Sequence, residues 1–258
     1  MNRSRSLAAL LGAIVLASCE KNAVQVLPTA DLPGARIKFF NFGVGAPGVN
    51  FYANNTKMTA ISSGTGTEAT TGVAYGGAGN GGVYLAIAPG AYTLTGRIAA
   101  TIDKDLPIAT VSATIEDGKF YSLYMSGFYN STAKTVAAFV VEDGFDVPTD
   151  YSVAYVRFVH AIGNANPLTL YRKAITGDTT TQALSTAVAY QGAGAFTALP
   201  SGVYDLFARY TDSTTNKISS TAVTLLGGRV YTIGARGDIT ITSTTAANRP
   251  ILTPTPNR

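Results

Sequence analysis

The stretch Ala154–Ala161, A-Y-V-R-F-V-H-A, decides the fold of this chain. Its apolar residues fall on every second position, and this alternation predicts a β-strand with one face buried in a core. A twin stretch, Ala35–Phe42, reads A-R-I-K-F-F-N-F and repeats the alternation. Lys38 stands in the twin where Arg157 stands in the first stretch. A basic residue in the middle of the outer face predicts that this face of each sheet is solvated.

The likeness between the two stretches continues along the chain, because further short blocks recur in the same order. The matched blocks are Phe51-Tyr52 with Leu170-Tyr171, Val73–Gly77 with Val188–Gly192, Gly90–Leu94 with Gly202–Leu206, and Gly118–Tyr121 with Gly228–Tyr231. Gly127 and Gly237 close the two copies. The order predicts two homologous units of roughly 95–115 residues, an ordinary domain size.

The local pattern between these blocks indicates an all-β protein. Turn signals recur every ~8–15 residues, Val, Thr, Tyr and Phe fill the intervals, and no segment has a long helical period. We therefore expect two tandem antiparallel β-sandwich domains, at residues 34–147 and 148–243. The acidic segment Glu142–Asp150 is expected to be a solvated linker, and the Pro/Thr-rich tail at 244–258 to be extended or disordered.

The first residues have the composition of an export signal. A basic start is followed by the apolar run Leu7–Ala17, which is too short to span a bilayer as a helix. The run ends in Leu16-Ala17-Ser18-Cys19 and resembles a bacterial lipoprotein signal. The resemblance implies a signal peptide at 1–18, a palmitoylated and otherwise acylated Cys19 as lipid attachment site, and a tether at 19–33. By the same resemblance, Glu20 in place of Asp after the cysteine favours the outer membrane of the cell envelope. The alternative to a lipoprotein signal is an ordinary cleaved signal.

Charge and composition exclude several classes of partner and chemistry. Residues 1–18 hold two of the 19 basic residues, so 17 remain against 15 acidic ones after cleavage, and no Lys/Arg cluster predicts nucleic-acid binding. One His and one Cys cannot build a His/Cys metal site. A catalytic triad would have to use His160, and no G-x-S-x-G elbow accompanies it. His160 is instead expected to end its strand and hydrogen-bond a nearby loop, as Asn41 could in the twin.

The glycine loops and the paired carboxylates also fit structural roles better than catalytic ones. Gly43-Gly45-Gly48 and Gly77-Gly79-Gly82 match G-x-G-x-x-G, but strands follow both, so a nucleotide-binding helix terminus is missing. The paired acidic residues fall in turns or linkers, which predicts that they are solvated surface charges and not a catalytic pair. A surface calcium site is the alternative for them. These acids are Asp103/Asp105, Glu116/Asp117 and Glu142/Asp143/Asp146. We predict no catalytic, cofactor-binding or metal-binding residue and no cofactor.

The blocks R-F-V-H-A, V-A-Y-G, P-G-A-Y-T-L and G-K-F-Y-S-L together resemble the bacterial family named domain of unknown function 4397 (DUF4397). The resemblance covers both units and implies immunoglobulin-like or transthyretin-like sandwiches on an exported protein. It implies no activity. The histidine that ends the first strand of the family pattern is present as His160 and replaced by Asn41 in the first unit.

Three functions remain from the sequence. The favoured one is a non-enzymatic, lipid-anchored envelope protein with a structural, adhesion or assembly role and with envelope polysaccharide or protein as partners. The second is a carbohydrate- or peptide-binding module with loops 62–82 as its rim. Tyrosines at equivalent positions of both units (Tyr75/Tyr190, Tyr92/Tyr204, Tyr121/Tyr231) favour packing over sugar binding. The third is a hydrolase with two loop carboxylates facing each other across a pocket.

Overall fold

Two β-sandwiches with the same strand plan follow one another along the chain. The structure, a computed structural model, describes residues 34–60 and 67–258. The strands of the first sandwich are β1 (Ala35–Asn41), β2 (Val49–Ala53), β3 (Thr56–Lys57), β4 (Leu85–Ile87), β5 (Gly90–Ile98), β6 (Pro107–Ile115), β7 (Phe120–Asn130) and β8 (Thr135–Glu142). A short 3-10 turn spans Gly79–Gly82.

The second sandwich repeats this plan. Its strands are β9 (Val153–His160), β10 (Leu168–Ala174), β11 (Gln182–Ala183), β12 (Gly192–Ala193), β13 (Thr197–Pro200), β14 (Gly202–Tyr210), β15 (Ile218–Leu225), β16 (Val230–Arg236) and β17 (Ile251–Pro256). Residues 34–258 together form one compact unit.

The strand order confirms the all-β sandwich prediction and adds one parallel pair to each domain. The first sandwich has sheets β4-β1-β7-β8 and β3-β2-β5-β6, and the second has β12-β9-β16-β17, with β13 also on β9, and β11-β10-β14-β15. β1 pairs with β7 in parallel, and β9 pairs with β16 in parallel. These sheets are therefore mixed, because the chain crosses to the opposite sheet and back before the parallel partner forms.

Each sandwich has its own apolar core between its two sheets. Ile37 and Phe39 of β1 point into the first core, and Val156 and Phe158 of β9 point into the second, as the alternation predicts. All four side chains are buried. Burial of one such side chain contributes about 1.5–3 kcal/mol, so the two cores supply the main stabilisation of the two sandwiches.

The structure differs from expectation at the tail. The expectation for residues 244–258 is an extended or disordered segment outside the second sandwich, yet Ile251–Pro256 form β17, which pairs antiparallel with β16. β17 occupies the place in its sheet that β8 occupies in the first sandwich. Pro254 and Pro256 are tolerated because β17 is an edge strand, where an N–H is not needed on the outer side.

The prediction of solvated outer faces for β1 and β9 is wrong. The exposed fractions of Lys38 and Arg157 are 2% and 3%. The sheet that contains β1 packs against the sheet that contains β9, so the faces opposite the two cores meet each other. A third apolar cluster, with residues from both sandwiches, lies between them: Phe40, Phe42, Tyr124, Phe139, Val159 and Ala161. We call this contact the junction.

Candidate functional site

Large side chains of the first sandwich meet small residues of the second at the junction. Phe40 and Tyr124 stack with ring centroids 4.7 Å apart, and Tyr124 and Phe139 stack at 5.3 Å. By strand register, the second sandwich places Val159, Gly234 and Thr253 where the first has Phe40, Tyr124 and Phe139. Any side chain at Gly234 would meet the Phe42 ring at 3.0 Å, so the two surfaces complement each other closely.

Arg157 anchors one end of the junction through a buried ion pair. Its guanidinium pairs with the carboxylate of Asp143, donates to the Glu142 carbonyl oxygen at 2.9 Å, and donates from Nε to Thr232 Oγ1 at 3.0 Å. Asp143 Oδ2 also accepts hydrogen bonds from Tyr84 and Ser122, each at 2.6 Å. Each nitrogen of the guanidinium and each oxygen of the carboxylate therefore has a hydrogen-bond partner, which is the condition under which a buried pair is tolerated.

Asp143 belongs to the segment that is expected to be a solvated linker, and for this residue the expectation is wrong. Its side chain is buried, whereas its neighbours Glu142, Gly144 and Asp146 are exposed. Burial of the Tyr84 hydroxyl raises the pKa of that phenol, and the adjacent Asp143 carboxylate raises it further. Near the start of the linker, Asp143 thus connects Tyr84 and Ser122 of the first sandwich with Arg157 of the second.

Lys38 makes the twin contact to the last strand of the other sandwich. Its ammonium donates to the Pro256 carbonyl oxygen and, at 3.4 Å, to Asn257 Oδ1. It also lies 4.1 Å from the centroid of the Tyr84 ring. Burial lowers the pKa of Lys38 to about 8, opposed by the charge of Asp143 and assisted by that of Arg157. The lysine is therefore much closer to losing its proton than an exposed lysine is.

The two contacts are related by an approximate two-fold symmetry that follows from the repeat. Lys38 and Arg157 have the same place in β1 and β9, and Ser122 and Thr232 are their neighbours on the parallel partner strands. Asp143 and Asn257 each follow the last strand of their sandwich and each bond to that neighbour. The junction thus has the geometry of a two-fold dimer interface within one chain.

A cleft of about 670 Å³ opens beside the Arg157 end of the junction. Its walls are the linker segment after Glu142 and the residues between β12 and β13. The lining includes the aromatic side chains Phe145, Tyr155 and Phe196 and the carboxylates Glu142 and Asp146. Phe145 and Phe196 meet edge to face at 5.9 Å, and the Arg157 guanidinium lies 4.8 Å from the Phe196 ring. The volume lies within the range of small-ligand sites.

The cleft brings Glu142 and Asp146 to one site. Their surroundings differ from those of the two carboxylates of a hydrolase. Glu142 forms an ion pair with Lys119 at 3.1 Å, and both carboxylates are exposed. Elsewhere Asp103 pairs with Lys134 at 3.0 Å, and Asp105 accepts from the Tyr52 hydroxyl at 2.8 Å. Within residues 34–60 and 67–258, no three His, Cys, Asp or Glu side chains lie together as a metal site would require.

His160 takes the structural place that the sequence predicts for it. Its Nδ1 accepts from the Ile162 backbone N–H at 3.2 Å, and Nε2 lies 3.3 Å from the Asn166 carbonyl oxygen. In the twin, Asn41 Oδ1 accepts from the Gly43 N–H and Nδ2 donates to the Pro47 carbonyl oxygen. Both side chains therefore stabilise, through hydrogen bonds, the loop that follows the first strand of their sandwich.

We expect His160→Asn to fold and to reduce the sensitivity of the protein to acid. Burial lowers the pKa of His160 below its ordinary value of 6.5. The unfolded chain therefore binds this proton more readily, and the stability of the native protein falls as the pH drops below about 6.5. Asparagine does not titrate and can repeat the Asn41 contacts. Urea midpoints at about pH 5 and about pH 7.5 should differ less in the variant than in the native chain. An unchanged difference would contradict this prediction.

The tyrosine pairs mostly pack, as expected. Tyr92 and Tyr204 donate their hydroxyls to carbonyl oxygens four residues earlier, at 3.0 and 2.7 Å. The hydroxyls of Tyr121 and Tyr231 accept backbone N–H groups of the preceding turns, at 3.1 and 3.2 Å. The Tyr190 hydroxyl reaches Ser126 of the first sandwich at 3.0 Å, so this tyrosine belongs to the junction.

Several predictions fall outside the described residues. The signal at 1–18, Cys19 and the tether at 19–33 are among them, as are residues 61–66 of the predicted rim loop. Gly43–Gly48 and Gly77–Gly82 are described, and both form turns before strands, without an α-helix after them. No helix in the part of the chain that the structure describes is long and apolar enough to cross a membrane.

The fold and junction define a class: a duplicated, all-β protein made of two joined sandwiches. The family described as "Domain of unknown function (DUF4397)" matches residues 35–171 and 154–255. The chain belongs to this family, in two copies. No curated protein sequence matches the chain. Among solved structures, the Bacillus anthracis TIE protein matches with 13% identity and a TM-score of 0.24, over 80% of this chain and 34% of that chain. The chain thus spans about a third of that neighbour's length.

Proposed function

We propose that this protein is a non-enzymatic lipoprotein of the cell envelope, anchored in the outer membrane through Cys19, with a structural, adhesion or assembly role. The observation that carries the structural part is the junction. Two sandwiches joined only by a flexible linker would move independently, whereas here both meet through a buried ion pair and an aromatic cluster. A rigid double module suits a protein that holds partners at a fixed distance from a surface.

The anchor is supported by the sequence Leu16-Ala17-Ser18-Cys19 at the end of the apolar run. We expect Cys19→Ala to abolish acylation and to move most of the protein from the membrane fraction to the soluble fraction, because several acyl chains hold a protein far better than the folded surface does. Cell fractionation with metabolic fatty-acid labelling checks this. Cys19→Ala protein that stays with the outer membrane would exclude the lipid anchor.

The cleft favours a second function, a module that binds envelope polysaccharide or a peptide. Phe145, Tyr155 and Phe196 offer aromatic surface, and the Asp146 carboxylate lies at the rim without a hydrogen-bonding or ionic partner among the described residues. Aromatic surface next to a few polar groups is the usual composition of a ligand site. Exposed Asp146 has no structural contact to maintain, so it is available to a ligand.

Binding of the full chain to an array of glycans, cell-wall polymers and peptides tests this second function. We expect a saturable signal that Phe196→Ala weakens by about 5- to 30-fold, since loss of an aromatic anchor at a binding surface costs roughly 1–2 kcal/mol. Phe128→Ala, on an exposed ring away from the cleft, is the matched control. If the array shows no binding, or if both variants bind equally, the binding function is rejected and the structural role remains the proposal.

A further inference from the structure

The two ends of the junction differ in one chemical respect. At one end Arg157 faces the carboxylate of Asp143, whereas at the equivalent position Lys38 faces the carboxamide of Asn257. A guanidinium and a carboxylate form an ion pair and nothing more. A lysine amine and an asparagine carboxamide are the two reactants of an amide exchange, in which the amine replaces ammonia. We propose that Lys38 and Asn257 are joined by an intramolecular isopeptide bond.

The distance between the two groups suits the reaction. Lys38 Nζ lies 3.4 Å from Asn257 Oδ1, and the carbonyl carbon is one bond of about 1.2 Å beyond that oxygen. Both residues are buried, Lys38 almost completely. Two reactants held this close within a folded protein react as if at very high concentration, because their translational freedom has already been lost.

The surroundings favour the reactive form of the lysine. Among the residues that the structure describes, the hydrogen-bond acceptors of the Lys38 ammonium are the Pro256 carbonyl oxygen and the Asn257 side chain, and no carboxylate is one of them. Burial lowers the pKa of Lys38 to about 8, even though the charge of Asp143 acts in the opposite direction. A measurable fraction of the side chain is then a free amine near neutral pH, and only the free amine can attack a carbonyl carbon.

The step is balanced without any co-reactant. Lys38 Nζ forms a bond to Asn257 Cγ, the bond from Cγ to Nδ2 breaks, one proton of Nζ passes to Nδ2, and ammonia leaves. Asn257 Nδ2 donates to Thr232 Oγ1 at 2.8 Å, and Arg157 Nε donates to the same oxygen at 3.0 Å. Thr232 thus holds the carboxamide in a fixed orientation beside the amine.

Intact-mass spectrometry of the full chain tests the proposal, with Lys38→Arg produced in the same way as the reference. Arginine keeps the positive charge that the junction needs and cannot form the bond. We expect the native chain to be lighter than its own sequence by one ammonia, and Lys38→Arg to show no such loss. Because the two chains are compared with each other, signal cleavage and acylation at Cys19 affect both alike, so the result does not depend on the proposed anchor.

Peptide sequencing after proteolysis completes the test on the native chain alone. We expect a branched peptide in which residue 38 is joined to residue 257. A native mass without the ammonia loss would overturn the proposal, and so would an ammonia loss that persists in Lys38→Arg. The latter would mean cyclisation of an asparagine on its own backbone. Should Lys38→Arg fail to fold, the presence or absence of the branched peptide still decides the question.

Discussion

Asp143→Ala is expected to destabilise the protein by about 3–5 kcal/mol, the largest effect of any single polar substitution in the junction. The change leaves the guanidinium of Arg157 buried without its carboxylate and also removes the acceptor of the Tyr84 and Ser122 hydroxyls. An unpaired charge on a side chain that is only 3% exposed is costly, because water replaces little of the lost interaction. Urea unfolding at neutral pH, followed by tyrosine fluorescence, measures the loss.

Asp146→Ala is the matched control, since this carboxylate lies in the same acidic segment but is exposed. Its effect should stay within about 0.5 kcal/mol. A double variant, Asp143→Leu with Arg157→Met, should recover much of the lost stability because it removes both charges together. Equal midpoints for Asp143→Ala and Asp146→Ala would show that the ion pair does not hold the sandwiches together.

Phe42→Ala is expected to cost about 3–5 kcal/mol, as much as a truncation in the centre of a domain core. Phe42 belongs to neither sandwich core. Its ring packs between Tyr124 of the first sandwich, at a centroid distance of 5.6 Å, and the backbone of Gly234 in the second. The loss would therefore measure how strongly the two sandwiches are coupled, and thermal or urea unfolding reports it.

Phe128→Ala provides the comparison for Phe42→Ala, because the Phe128 ring is 45% exposed and its truncation opens no cavity. We expect a change of less than about 1 kcal/mol for it. A second observation separates coupling from general damage: Phe42→Ala should make the linker after Glu142 more susceptible to proteolysis. If the two phenylalanine variants lose the same small amount of stability, the junction is not a tight interface.

The alternation in Ala154–Ala161 and in its twin is enough to predict the strands, the duplication and the core-facing residues. The prediction fails for the opposite faces, because Lys38 and Arg157 indicate a solvated surface whereas both side chains are buried. The signal that would have corrected this lies in the same stretch, since Phe40 and Phe42 follow Lys38 on its own face. A strand that is apolar on both faces is buried on both, and its one basic residue then needs a partner.

The tail and the cleft had weaker signals. Prolines at 254 and 256 argue against a strand, and only the position of β17 at the edge of its sheet makes them acceptable. The cleft lies between the linker after Glu142 and the segment Ala193–Phe196. These two segments are far apart in the sequence, and they come together only because of how the sandwiches pack. No local pattern encodes that approach. The partners of Lys38 in particular lie at the far end of the chain.

The unequal surfaces of the junction have a consequence wherever many copies of the chain lie close together. If the first sandwiches of two neighbouring chains met through this face, Phe40 and Tyr124 would collide with their own copies. If two second sandwiches met, Val159 and Gly234 would leave a void. Only a first sandwich and a second sandwich fit each other, and within one chain the two are held at high effective concentration. Mispairing between neighbours is thereby disfavoured by shape, and each molecule keeps its own two halves together.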